Sequence, residues 1–220
     1  PVTAIFESGE DGRDLGHTVP DCGVEESARS LFGLCRKDRR EEPVIALVGD
    51  SKAHSLFNGL VRASGPQTRL LAMAGHGSAG VPLPVISDAP LYLPYQNSIN
   101  KVVSTISENP HIKVVILTMA ARGLFDLDSA ESLEGLSQST HEEIAFQGVN
   151  EVINRLAKAG KKIVLTVDNP TLPDPAACVP RRTGVEFLDE VFQTTERAAC
   201  SISYDRQRKL AAKYLQLLAR

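Results

Sequence analysis

The residues best suited to chemistry lie in the segment Gly49-Asp50-Ser51, where an apolar run ends and an amphipathic run begins. A serine at the start of a helix lies beside backbone N–H groups that have no intrahelical partner and carry partial positive charge. Such a hydroxyl can attack a carbonyl carbon while the N–H groups hold the oxyanion that forms. The same corner also suits a simple helix cap, because serine and aspartate are both preferred there. The residues alone leave both interpretations open.

Two further segments follow predicted strands and could complete such a site. The segment 75–80, GHGSAG, has the spacing of a dinucleotide-binding loop, but Pro82 and Pro84 prevent the helix that would receive a pyrophosphate. We therefore interpret it as a glycine-rich turn or as a backbone donor aimed at Ser51. Asp168 ends the last predicted strand, where it either orients a catalytic group or forms a turn with the Asn-Pro that follows.

A general base is harder to identify among the five histidines. His54 comes three residues after Ser51, but two side chains on one helix seldom reach the geometry that proton transfer requires. His76 and His111 lie near predicted strand ends without a carboxylate close to them in sequence. The sequence therefore assigns no partner to the serine.

The overall composition restricts the classes of partner. Of the 220 residues, 42% are hydrophobic and 23% are charged, which suits one globular domain or two small ones. A net charge of −3 with scattered Lys and Arg gives no electrostatic basis for nucleic acid binding. No apolar run reaches the roughly 20 residues of a membrane span. The cysteines form no C-x-x-C pair and do not cluster with histidines, so we expect no metal and no cofactor.

The chemistry-bearing segments are spaced by an alternation of strand-length apolar runs and helical patterns. This alternation predicts an α/β fold, a three-layer α/β/α sandwich with a parallel sheet. Ligands bind outside the carboxyl ends of such strands, so Ser51 and the segment 75–80 should share one edge. We expect residues 1–42 to form an N-terminal extension packed on a domain of residues 43–220. The predicted strands are 44–48, 69–74, 113–119 and 162–167. The predicted helices are about 24–35, 52–63, 95–108 and 142–158, with a further one from about residue 204. Gly160 should cap the C-terminus of the helix 142–158.

The cysteines Cys22, Cys35, Cys178 and Cys200 allow three pairings. Neighbour pairing would staple two segments that lack a dense apolar pattern, and each closed loop is worth about 3 kcal/mol in the chain-entropy model. Disulfides would indicate an oxidising compartment, whereas four free buried thiols would suit a cytosolic protein.

The order of these segments resembles the SGNH hydrolase superfamily. More narrowly, it resembles the SGNH domain fused to bacterial membrane acyltransferases that O-acetylate surface polysaccharides such as lipopolysaccharide O-antigen. The resemblance extends from about Cys22 to the C-terminal helix and implies an SGNH-hydrolase-like, flavodoxin-like sandwich. It is carried by GDSKAHSLFNGL (49–60), NPHIKVVILTMAARGLF (109–125) and GKKIVLTVDNPTLPDPAACVPR (160–181).

The resemblance implies roles for individual residues. Ser51 would be the catalytic nucleophile, and its own N–H and that of Gly75 would form the oxyanion hole, although Gly77 fits almost as well. The third family block offers an Asn donor, but this chain has Arg122 near that strand end, which we interpret as a candidate substrate-binding residue. Lys52 stands where many relatives carry His and is a second candidate for substrate binding.

The catalytic Asp and His are the largest departure from the family pattern. The family places them in a D-x-x-H block near the C-terminus, and this chain has no such block there. We therefore expect a domain that lacks its C-terminal catalytic block. Because the chain does not begin with Met, we also expect a piece of a longer protein.

The resemblance further implies an O-acyltransferase, specifically an acetyltransferase, that works through an acyl-serine intermediate. Its partners would be an N-terminal membrane acyltransferase domain of the same polypeptide, an acyl donor and a polysaccharide or oligosaccharide acceptor. It would act at the periplasmic or extracellular face of a bacterial membrane, which agrees with the pairs Cys22–Cys35 and Cys178–Cys200. The alternatives are a glycan acyl-esterase of the same fold and a non-catalytic glycan-binding or scaffold domain.

Overall fold

The computed structural model of the chain describes residues 22–23, 34–63, 69–74, 84–90, 92–120 and 142–166. Strands and helices alternate within these ranges. They are β1 (Leu34–Lys37), β2 (Ile45–Gly49), α1 (Ser51–Ala63), β3 (Leu70–Ala74), a short 3-10 turn (Leu93–Tyr95), α2 (Gln96–Glu108), β4 (Val114–Thr118), α3 (Glu142–Lys158) and β5 (Lys162–Leu165).

The strands form one sheet in the order β1-β3-β2-β4-β5. Strands β2 to β5 run parallel to one another, as the apolar runs predicted. Each of these four strands and the three helices begins and ends within two residues of its predicted bounds. The predicted α/β sandwich with a parallel sheet is confirmed, because runs buried on both faces have no stable alternative to a covered sheet.

Strand β1 corrects the prediction in one respect. It pairs antiparallel to β3 with Leu34 opposite Ala74 and Lys37 opposite Leu71, whereas the sequence placed Cys35 at the end of a helix. Pairing here satisfies backbone groups that β3 would otherwise leave open at its edge. Part of the predicted N-terminal extension is thus hydrogen-bonded into the sheet, while the boundary between residues 42 and 43 stays a prediction.

The two faces of the sheet are covered by different helices. On one face, Phe57 of α1 packs with Leu47 and Ala72, and its side chain is 2% exposed, a burial worth about 1.5–3 kcal/mol. On the other face, α2 and α3 pack against the alternate residues of the same strands. That second cluster includes Ala46, Val48, Leu71, Met73, Ile99, Val103, Val115, Leu117, Val149 and Val152.

A disulfide joins Cys22 to Cys35 of β1, with their Cα atoms 5.3 Å apart, in agreement with the first predicted pair. Cys22 is itself buried in the α2–α3 cluster, so the bond ties an upstream segment both to the edge strand and to the core. The second predicted pair, Cys178–Cys200, lies outside the described residues.

Gly160 lies just after the C-terminus of α3 and has a φ of 75°. It therefore supplies the left-handed C-terminal cap that its position predicted.

Candidate active site

The carboxyl ends of the four parallel strands meet at one edge of the sheet. Gly49 of β2 lies opposite both Ala74 of β3 and Thr118 of β4, and Leu165 of β5 lies opposite Leu117. The chain leaves β2 for α1 on one face, whereas the helices that precede and follow β4 cover the other. Parallel sheets bind ligands where the connections diverge in this way, beside the ends of such strands. The corner that carries Ser51 lies at this point.

Gly49 makes the corner possible because β2, β4 and α1 come unusually close together there. A Cβ on Gly49 would lie 1.6 Å from the carbonyl oxygen of Thr118 and 3.0 Å from Cβ of Ala53. No side chain fits into that space. The absence of a side chain at Gly49 therefore brings the start of α1 against the end of β4.

Asp50 settles which residue caps the helix. Its Oδ1 accepts a hydrogen bond of 2.8 Å from the N–H of Lys52, and its carbonyl accepts the N–H of His54 at 3.1 Å. This is the geometry of an N-cap aspartate, which satisfies an amide that has no partner within the helix. The cap is therefore Asp50, and Ser51 is the first residue inside α1.

The second carboxylate oxygen of Asp50 bonds to a different element. Oδ2 accepts a hydrogen bond of 2.7 Å from the N–H of Ala120, just after β4. Asp50 is only 8% exposed, so both bonds lie where water competes weakly. One buried carboxylate thus joins the start of the helix to the end of the neighbouring strand.

Ser51 is left available for chemistry by this arrangement. Its side chain is half-buried, and within the described residues its Oγ makes no hydrogen bond. It lies at the positive end of a 13-residue helix, beside N–H groups that can stabilise a developing oxyanion. Of the two caps that the corner suggested, the structure has Asp50, and the Ser51 hydroxyl is not used for it.

Lys52 and His54 lie in the same first turn of α1 as the serine, and both are half-buried. Each also interacts with other parts of the protein. Ser55 follows one turn later, where its Oγ donates a 2.9 Å bond to the carbonyl of Ser51. Of these three, Lys52 is the predicted substrate-binding residue, and the structure brings it next to Ser51 along the helix.

Thr118 and Thr166, at the ends of β4 and β5, were not singled out in the sequence. Their hydroxyls hydrogen-bond to each other on the α1 face, and Thr118 is 3% exposed. A polar residue closing an apolar strand is the only sequence signal for Thr118. The amide of Ala120 has no sequence signal at all, because every residue except proline carries one.

Several predicted site residues lie outside the described residues. Gly75 immediately follows Ala74, and Arg122 comes two residues after Ala120. Outside the described ranges as well lie these further candidates from the sequence: Gly77, His76, Asp168, Cys178 and Cys200.

The D-x-x-H spacing, which we expected to be absent from the whole chain, occurs once, at Asp14 and His17. These residues precede the first strand, at the opposite end from the family's block, and the structure does not describe them. In the described part of the chain, no three His, Cys, Asp or Glu side chains group closely enough to hold a metal ion. A membrane-spanning helix, judged by length and hydropathy, is not found in that part either.

Comparison with known families places this corner in context. A family described as "SGNH domain (fused to AT3 domains)" matches residues 21–220. No curated protein and no solved structure matches the chain significantly. The match includes β1, the disulfide-bonded Cys22 and the whole parallel sheet with its Gly49-Asp50-Ser51 corner. The chain therefore belongs to the SGNH domain family whose members are fused to AT3 acyltransferase domains.

Proposed function

We propose that this chain is an O-acyltransferase domain that carries an acetyl group on Ser51 and transfers it to a hydroxyl of a cell-surface polysaccharide. The single observation that supports it most is that Asp50, and not Ser51, caps the helix at this corner. Asp50 caps α1 through a 2.8 Å bond, which leaves the Ser51 hydroxyl unbonded among the described residues, at the positive end of the helix. A serine needed only for structure would be expected to take the cap itself.

The reaction would proceed in two balanced steps. Oγ of Ser51 attacks the acyl carbonyl carbon, its proton passes to a base, and the donor's leaving group departs with a proton. A sugar hydroxyl then attacks the acyl-serine, and the serine regains its proton. In both steps the oxyanion would be held by the N–H of Ser51, which makes no other bond within the described residues, and by the N–H of Gly75.

The geometry of the described residues assigns no general base to Ser51. A histidine scan identifies it, with His17 and His54 as the most informative positions: His17 shares the D-x-x-H spacing with Asp14, and His54 shares a helical turn with Ser51. Replacing the base should lower the acylation rate by about 100- to 10,000-fold, the usual contribution of general acid–base catalysis.

Substrate binding would fall to residues on either side of the serine. Lys52 adjoins Ser51 in α1, and Arg122 follows the segment that Asp50 holds at Ala120. Both are cations that can donate hydrogen bonds to an anionic or hydroxyl-rich acceptor. Replacing either one should raise the KM for the sugar acceptor while leaving acyl-serine formation unchanged.

The chain would act outside the cytoplasm, beside a membrane acyltransferase domain of the same polypeptide that delivers the acyl donor. The family's fusion to AT3 domains and the Cys22–Cys35 disulfide support this location. Non-reducing peptide mapping of protein exported to an oxidising compartment should show Cys22–Cys35 and Cys178–Cys200. Crossed pairs would contradict the predicted pairing, and four alkylatable thiols would contradict both the pairing and the location it supports.

The central test is incubation with an activated acetyl ester, followed by intact mass measurement of the wild type, Ser51→Ala and Ser55→Ala. Ser55 is the matched control, because it is an exposed serine one turn further along the same helix. We expect one added acetyl group in the wild type and in Ser55→Ala, removed by hydroxylamine as an ester is. An equal ester adduct in Ser51→Ala would overturn the proposal.

The same samples separate the alternative functions. Transfer of acetyl to water but not to any sugar acceptor would indicate a glycan acyl-esterase. Normal polysaccharide acetylation by the full-length protein carrying Ser51→Ala would indicate a glycan-binding or scaffold domain instead.

A further inference from the structure

The carboxylate of Asp50 makes more hydrogen bonds than a helix cap requires. A cap needs one acceptor oxygen, which Ser, Thr or Asn supplies about as well as Asp. Asp50 uses Oδ1 for that purpose, on the N–H of Lys52, and uses Oδ2 for the N–H of Ala120, 70 positions further along the chain. Both bonds are short and charge-assisted, and bonds of this kind are roughly twice as strong as neutral ones.

The second bond lies where it can control the geometry of the candidate site. Ala120 directly continues β4 beyond Thr118 and Met119, and the chain reaches Arg122 two residues later. Gly49 has already brought β4 and α1 close together, since a Cβ there would overlap the Thr118 carbonyl. The Asp50–Ala120 bond then holds the backbone at Ala120 close to the first turn of α1.

From these contacts we propose that Asp50 is a positioning residue, which fixes the backbone at Ala120, just after β4, against the first turn of α1 and so sets the geometry around Ser51. Asp50 itself does not touch the acyl group or exchange protons. The catalytic half of this inference rests on the proposed function of Ser51, whereas the bridge between Asp50 and Ala120 does not.

Asp38 offers a matched control elsewhere in the same sheet. It is also a buried aspartate, at 5% exposure, and its Oδ1 also accepts a backbone N–H of a neighbouring strand, that of Leu70 at 2.9 Å. It differs in lying at the opposite edge, where the parallel strands begin. Any effect shared by Asp38 and Asp50 variants is therefore structural, and an effect confined to Asp50 belongs to the site.

The experiment compares Asp50→Asn with Asp38→Asn in the full chain. Asparagine keeps the shape of aspartate but has one acceptor oxygen, so it can cap Lys52 or accept from Ala120, not both. In Asp50→Asn, hydrogen exchange at the amide that loses its acceptor, either Lys52 or Ala120, should accelerate about 10-fold or more as the bridge is lost. Acetylation of Ser51 at saturating ester should slow by about 100-fold, the scale of a 1 Å misplacement. Asp38→Asn should change neither quantity.

Unchanged exchange at both the Lys52 and the Ala120 amides in Asp50→Asn would overturn the bridge, and an equal loss of acetylation in Asp38→Asn would reduce Asp50 to a structural role. If Asp50→Asn does not fold, Asp50→Ser replaces it, because serine caps the helix but is too short to reach Ala120. If Ser51→Ala is acetylated as readily as the wild type, the proposed function fails, and exchange at the Lys52 and Ala120 amides then decides the bridge by itself.

Discussion

The sheet has one edge where the parallel strands begin and another where they end. At both, backbone groups need hydrogen-bond partners, and buried charged side chains supply them. At the edge where the parallel strands begin, Asp38 accepts the N–H of Leu70, and Nζ of Lys161 donates to the carbonyls of Asn109 and Ile112 at 2.6 and 3.0 Å. At the edge where they end, Asp50 accepts two backbone N–H groups. Buried charges satisfy backbone groups that would otherwise be left without partners at both edges.

The two edges differ in whether a helix N-terminus lies beside the buried charge. Within the described ranges, the hydrogen bonds of Asp38 and Lys161 at the first edge go to backbone or to the neighbouring Arg39, and none of the helices in those ranges begins beside them. At the second edge a helix begins immediately after Asp50, so a hydroxyl is placed at its positive end. Both ends of the sheet therefore satisfy their backbone groups, but the proposed site needs in addition a helix N-terminus whose cap is supplied by the preceding residue.

The largest expected effect comes from filling the space at Gly49. Gly49→Ala places a Cβ 1.6 Å from a backbone oxygen, which neither strand can avoid, so we expect a loss of about 4 kcal/mol or more in the free energy of unfolding. Gly59→Ala is the control, because Gly59 lies inside α1 and nothing comes within 4 Å of a Cβ placed there. We expect it to raise the free energy of unfolding by about 0.5–1 kcal/mol. Urea unfolding measures both, and a mild Gly49→Ala would contradict the close packing of α1 on β4.

A smaller effect should follow from emptying the amino edge. Asp38→Ala leaves the N–H of the buried Leu70 without its side-chain acceptor, which should lower the free energy of unfolding by about 1–3 kcal/mol. Acetylation per folded molecule should not change, since this edge is the far one. Asp88→Ala, at an exposed aspartate, should stay within about 0.5 kcal/mol of the wild type. A loss of activity in folded Asp38→Ala would break the distinction between the two edges.

The smallest effect is a dependence of stability on pH at Lys161. Burial disfavours its charged form and, to a lesser degree, Lys113 repels it, so the pKa of Lys161 lies below the ordinary value of 10.5. Between the lowered pKa and 10.5 the unfolded chain binds more protons than the folded protein, so stability rises with pH across that window. The difference in unfolding free energy between wild type and Lys161→Met should therefore move in favour of the wild type from about pH 8 to about pH 10. A constant or falling difference would show that Lys161 stays charged when folded.

Much of the fold followed from local pattern. The runs that became β2 to β5 are apolar throughout and of strand length, and a run of that kind, alternating with amphipathic helices, has few arrangements other than a covered parallel sheet. Gly160 likewise declared itself, because a glycine after a basic helix end is the common left-handed cap. Strand β1 could not be predicted in this way, because its pairing with β3 depends on partners 34 or more positions away rather than on its own four residues.

What the sequence determined by itself was the corner, Gly49-Asp50-Ser51, since the end of an apolar run and the start of an amphipathic one mark it without reference to anything distant. Only the tertiary structure decided how the three residues divide the work. The steric role of Gly49 depends on the Thr118 carbonyl, and the second bond of Asp50 depends on the Ala120 amide. Both partners are backbone groups, which nearly every residue carries, so no pattern of side chains in the sequence can predict which ones take part. Their positions become definite only when β4 packs beside β2.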